Sequence, residues 1–117
     1  SYAKQADFIV DFHEGWGFRK INPSSLGSTL SYTLPLSKQI CENTIILLNN
    51  TIPNDKWHFV LNENVDKKLT FRNFAKRHNI NYILVETTGQ FNKQPLSTRI
   101  DQSTLIINNV LSSMNML

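Results

Sequence analysis

The sequence predicts an α/β fold: a mostly parallel (mixed) sheet flanked by helices on both faces, in three layers. Three observations carry this. Apolar runs rich in Val, Ile, Leu and Phe recur over 8–13, 57–61 and 81–86, the composition of buried strands. Stretches with apolar residues at three- and four-residue steps lie between and after them, as amphipathic helices require. Strands and helices alternate, which favours parallel pairing through helical crossovers.

Taken in order, Tyr2 to Asp7 is a polar lead-in and 8–13 is the first strand. Residues 14–34 read as one long loop, with Gly15, Gly17, Pro23 and Gly27 among serines and threonines. A loop of about 20 residues in a compact domain is functional or disordered. Trp16, Phe18 and Tyr32 argue for the former, and the loop is expected to wall a binding site. Pro35 opens a helix with Ser37 as its candidate N-cap. Ile40, Thr44, Leu47 and Leu48 mark its apolar face, broadened by Ile45 and Ile46, and it ends near Asn50, before Pro53. A short strand over 57–61 turns His58 outward between Trp57 and Phe59. A polar connection covers 62–69. Thr70 caps a helix over 71–78 whose apolar face is Phe71, Phe74 and Ala75, and Asn79 ends it. The third strand spans 81–86 and a polar loop 87–94. Pro95 and Ser97 open the last helix, whose expected core stripe is Ile100, Thr104, Ile107, Leu111 and Met114.

A chain of 117 residues is one domain or part of one. The hydrophobic fraction of 40% and seven Phe suffice for a core. The 12 basic and 9 acidic residues are interspersed and leave a mild formal charge of +3. Lys67, Lys68, Arg72, Lys76 and Arg77 at helical spacing are explained by a solvated helix surface, so no nucleic-acid partner is expected. The single cysteine, Cys41, excludes an internal disulfide and a cysteine-based zinc cluster, and is expected to be buried and inert. No apolar run approaches the roughly 20 residues needed to span a bilayer, so no membrane partner is expected. No secretory signal is visible, and the expected compartment is cytoplasmic.

The candidate chemistry lies at two strand ends. Asp11 interrupts the first apolar run, and His13 follows where the strand gives out, before Glu14 and Gly15. Residues i and i+2 on a strand point the same way. The Asp11 carboxylate is therefore placed to orient the His13 imidazole, and the imidazole to bind a metal. The second run, Ile83-Leu84-Val85, delivers Glu86 at its end. A carboxylate beside buried apolar residues has a raised pKa, which suits a general acid or base. A structural His13 and a surface Glu86 are the plainer alternatives. In open parallel α/β sheets, chemistry collects at the carboxyl ends of strands, so His13 and Glu86 are expected to face one site. Arg19 and Arg99 either meet an anionic substrate or solvate loops. His58 and His78 have structural explanations.

Three segments together carry a resemblance: Asp11-Phe12-His13-Glu14-Gly15, the loop Ser25-Leu26-Gly27-Ser28-Thr29, and Leu84-Val85-Glu86-Thr87 before Gln94-Pro95-Leu96-Ser97-Thr98-Arg99. In that order they resemble the C-terminal half of a zinc carboxypeptidase-like enzyme of the succinylglutamate desuccinylase/aspartoacylase-like branch. The resemblance implies a phosphorylase/hydrolase-like three-layer α/β/α fold, of which this chain is the C-terminal part. It implies Zn²⁺ as cofactor, with His13 as its later ligand, Asp11 behind it, and Glu86 as the catalytic residue that activates the zinc-bound water. It implies an acyl-amino-acid or peptide substrate, met by Arg19, Ser28, Thr29 and Arg99. The family's His-x-x-Glu ligand pair does not occur in this chain. The resemblance therefore also implies that the upstream half of the same protein, or another chain, completes the site, and that the 117 residues alone are inactive. A non-catalytic α/β domain that kept the scaffold for binding or assembly is the competing expectation, since a fold does not imply a function.

Overall fold

The computed structural model describes residues 8–63 and 71–115. The expected lead-in, the capping Thr70 and most of the 62–69 connection lie outside them. The described residues form an α/β domain with a four-stranded mixed sheet and three helices. The strands are β1 (Phe8–Gly15), β2 (Thr29–Tyr32), β3 (Val60–Leu61) and β4 (Asn81–Thr88). The helices are α1 (Pro35–Asn49), α2 (Phe71–Arg77) and α3 (Leu96–Asn115).

The sheet order is β1-β4-β2-β3. β1 and β4 run parallel over eight paired positions, and β2 and β3 run parallel. β2 and β4 are antiparallel, which makes the sheet mixed. The segment that becomes β2 reads as loop in the sequence. Its four residues, Thr29-Leu30-Ser31-Tyr32, are flanked by serines and glycines and too few to declare a period. Tertiary pairing on both sides makes them a central strand, with Leu30 fully buried and Thr29 and Ser31 buried despite their polarity. The expected strand over 57–61 shrinks to β3, preceded by a 3-10 turn at Asp55–Trp57. His58 is not turned outward on a strand: it is partly buried, its Nε2 2.7 Å from the Ile52 carbonyl.

α1 starts as its sequence dictates. Pro35 sits in its first turn, where its missing N–H costs nothing. The N-cap is Leu34 rather than the expected Ser37, which lies three residues in. From there the Ser37 Oγ accepts the Leu34 N–H at 3.0 Å, the return half of a capping box. Asn79, at φ +57, follows α2 in the left-handed conformation that asparagine tolerates.

The core joins Leu30, Ile83 and Val85 of the sheet to Ile40, Cys41 and Leu48 of α1, Ile106 and Val110 of α3, and Phe59. Burial pushes the Cys41 thiol up to about 12, so it is unreactive at neutral pH. The expected stripe on α3 is overturned. The buried residues there are Gln102, Ile106 and Val110, while Ile100, Ile107 and Leu111 are exposed. The helix carries apolar residues on two faces, and packing against α1 and the sheet selects the other one. Leu47 and Ile46 of α1, and Phe71 and Phe74 of α2, are likewise exposed rather than core. Among the described residues no helix is long and apolar enough to cross a membrane.

Candidate functional site

Side chains alternate between the faces of a strand, and the parallel register of β1 and β4 therefore sorts their residues. Val10 pairs with Ile83 and Phe12 with Val85 on the face that carries the core, though Phe12 itself stays exposed. Asp11 pairs with Leu84 and His13 with Glu86, so Asp11, His13, Tyr82 and Glu86 share the opposite face. His13 and Glu86 thus stand side by side near the carboxyl ends of two adjacent parallel strands. Antiparallel pairing of Thr29 with Glu86 brings β2 against the same position.

Hydrogen bonds order this face. The Asp11 Oδ2 lies 3.1 Å from the His13 Nε2 and accepts the Tyr82 hydroxyl at 2.5 Å. Burial pushes the Asp11 carboxyl up. The hydrogen bonds from Tyr82 and His13, with the imidazole's charge, outweigh that and hold it below its ordinary value. Glu86 is half-buried, and burial raises its carboxyl. The charges of His13 and Arg19 pull it down and that of Asp11 pushes it up, and the net shift is upward. A carboxylate held in this way accepts a proton more readily than a solvated one.

Arg19 lies close enough to Glu86 for its charge to act on that carboxyl. Its Nε donates to the Ser25 carbonyl at 2.6 Å and its Nη2 to the Asn62 Oδ1 at 3.3 Å. The loop that carries it is stapled to the sheet. The Thr88 Oγ1 donates to the Gly17 carbonyl at 2.7 Å, the Gly27 N–H to the Trp16 carbonyl at 3.3 Å and the Arg19 N–H to the Gly27 carbonyl at 3.1 Å. Gly17, at φ +62, and the close approach of Gly27 to the Gly17 carbonyl both need a residue without Cβ.

No protein-family model, no curated protein and no solved structure matches the chain. What the site does has to be taken from its own residues.

The remaining expected site residues are placed elsewhere or held by partners within the chain. The Ser28 Oγ and the Thr88 Oγ1 share a hydrogen bond of 2.7 Å, and the Thr29 Oγ1 donates to the Leu26 carbonyl at 2.7 Å. Arg99 is bonded to Glu14, which alternation puts on the face away from Glu86, at the rim of a groove formed by Phe12, Glu14, Arg99, Ile100 and Ile107. His78 packs on Phe74 with ring centres 4.2 Å apart. The structure thus brings Asp11, His13 and Glu86 together, with Thr29 paired beside Glu86 and the charge of Arg19 acting on it, and leaves Ser28 and Arg99 outside that group.

Tyr82 is a site residue that the motifs of the sequence do not single out. A signal existed: Tyr82, Leu84 and Glu86 fall on alternate positions of one strand, so a tyrosine had to share the face of the carboxylate. Among the described residues no group of three or more His, Cys, Asp or Glu is placed to hold a metal ion. His13 offers one imidazole, and with two carboxylates near it the donor types are those zinc accepts, but they do not make a closed site by themselves.

Proposed function

We propose that this chain contributes part of the catalytic centre of a zinc-dependent hydrolase that cleaves amide bonds, of the N-acyl amino acid deacylase or carboxypeptidase type. The observation that carries it is the register that sets His13 beside Glu86 near the ends of two parallel strands. His13 would hold the metal, with Asp11 orienting the imidazole, and Glu86 would take a proton from water and pass it to the leaving amine. The raised carboxyl of Glu86 and the positive charge of Arg19 that acts on it, suited to an anionic substrate group, support the same assignment. When bound, zinc polarises the scissile carbonyl and acidifies water. A catalytic zinc takes three protein ligands, so the others belong to residues outside those described, in the same protein or in a second chain. On this reading the chain is the C-terminal part of a carboxypeptidase-like domain, nearest the succinylglutamate desuccinylase/aspartoacylase-like branch. Its sheet is then the middle of a three-layer α/β/α arrangement. In support, α1 and α3 cover Ile83 and Val85, while Phe71 of α2 stacks on Tyr82, whose side chain alternates to the other face.

The test measures zinc content and hydrolysis of N-acyl amino acids and short peptides by the intact protein. The expected result is about one zinc per chain, lost in His13→Ala. Glu86→Gln is expected to keep the zinc and lower kcat by about 10²–10⁴-fold. A second reading, a scaffold kept for binding or assembly without catalysis, draws on the lack of a three-ligand group among the described residues. Zinc content indifferent to His13 would favour that reading. Loss of hydrolysis in Glu86→Gln with the metal retained would end it.

A further inference from the structure

We propose that Tyr82 is a positioning residue for His13, acting through Asp11; as a role in catalysis this rests on the hydrolase reading above. His13 sits on an edge strand of the described sheet with 53% of its side chain exposed. An imidazole so exposed turns freely about both of its side-chain bonds unless something holds it. Asp11 is the group within reach, but its own side chain is 34% exposed and one contact does not fix a carboxylate. Tyr82 is the anchor. Only 2% of it is exposed, its ring stacks on Phe71 with centroids 5.8 Å apart, and its hydroxyl reaches the same Asp11 oxygen that faces the imidazole.

The chemistry of the three groups sets the direction of each bond. An ionised carboxylate only accepts, so both the phenol and the imidazole must donate to Asp11. The proton of a neutral His13 is therefore on Nε2, and the Nδ1 lone pair is left for a ligand. Tyr82 makes no contact with substrate or metal in this scheme. Its effect on His13 passes entirely through Asp11.

Tyr82→Phe removes one hydroxyl and keeps the ring on Phe71, so the core is not asked to repack. The intact protein, metal-free and labelled with ¹⁵N-histidine, is measured by NMR at a pH where the imidazole is neutral, with His13 assigned by its absence in His13→Gln. In the wild type the His13 Nε2–H proton resonates downfield and exchanges slowly with water. In Tyr82→Phe its exchange quickens about tenfold, the factor that one net hydrogen bond represents, and it moves upfield. Asp11→Ala has at least as large an effect, and adding Tyr82→Phe to Asp11→Ala changes nothing further. An unaltered His13 signal in Tyr82→Phe overturns the proposal, as does an equal change with and without Asp11, which would make Tyr82 merely structural. Because this readout uses metal-free protein, it is separable from the hydrolase reading. If the intact protein binds no zinc, that reading fails while the relay stands. If it does bind zinc, Tyr82→Phe weakens the affinity roughly tenfold through Asp11.

Discussion

Glu86 is a carboxylate in conflict with its surroundings. Burial opposes its ionisation, and only the charges of His13 and Arg19 favour it. A folded-state pKa above the unfolded value means that the folded protein holds the extra proton. The associated stabilisation is fully present below the unfolded pKa and is lost as the pH rises through the folded one. Glu86→Gln keeps the shape and removes the charge. Its Tm is therefore expected to exceed the wild type's at neutral pH by a degree or two, and the gain to vanish below about pH 4. Thermal melts across that range check it, and a gain independent of pH would mean that Glu86 is ionised at no cost. Asp11 has the opposite sign: its lowered carboxyl stabilises the fold above the unfolded pKa, and that contribution is lost as the pH falls through the folded one. A carboxylate kept ionised beside the histidine and another biased toward protonation suit the two different roles proposed for them.

At the scale of the element, α3 decides how its neighbours are read. The helix has apolar residues on two adjoining faces, and periodicity alone favours the stripe through Ile100, Ile107 and Leu111. Those three are exposed, while Ile106 is fully buried and Val110 nearly so, because the helix turns that side to α1 and the sheet. Ile106→Ala is expected to cost about 2–5 kcal/mol, a buried chain lost with a cavity left behind. Ile107→Ala, one residue on and 43% exposed, should cost well under half of that. Denaturant titration of the two variants measures the difference, and equal losses would restore the stripe read from the sequence. The same lesson applies to α1, where Thr44 is buried and donates to the Ile40 carbonyl at 2.7 Å while Leu47 lies outside.

At the scale of the whole molecule, the sheet has two unlike faces. One is apolar and carries the core; the other holds the Asp11, His13, Tyr82 and Glu86 group. The glycine-rich loop ties the two strands that present that group to Arg19. A Cβ at Gly27 would stand 2.0 Å from the Gly17 carbonyl oxygen and 2.6 Å from the Thr88 Oγ1. The first contact is backbone and has no rotamer to yield. Gly27→Ala is therefore expected to destabilise the protein by about 3 kcal/mol and, by opening the staple, to release Arg19 from Ser25. Denaturant unfolding checks the first expectation. A variant as stable as the wild type would show that the loop gives way there at little cost.

The sequence by itself determined the alternation of helices and strands from α1 onward, the start of α1 at Pro35, its end near Asn50 and the placing of Asn79 after α2. All of these are set by residues close together in the chain, through side-chain period, proline geometry and the left-handed tolerance of asparagine. It also put Asp11 and His13 on one face, since two residues along a strand is a local relation. The tertiary structure decided the rest. Thr29–Tyr32 became a strand because neighbours remote in sequence offered hydrogen bonds on both sides. The stripe of α3 was chosen by what it packs against. His13 met Glu86, and Tyr82 met Asp11, only because β1 and β4 pair in one register across some seventy residues of chain. No local pattern encodes a register between distant strands; the fit of their apolar faces against a shared core does.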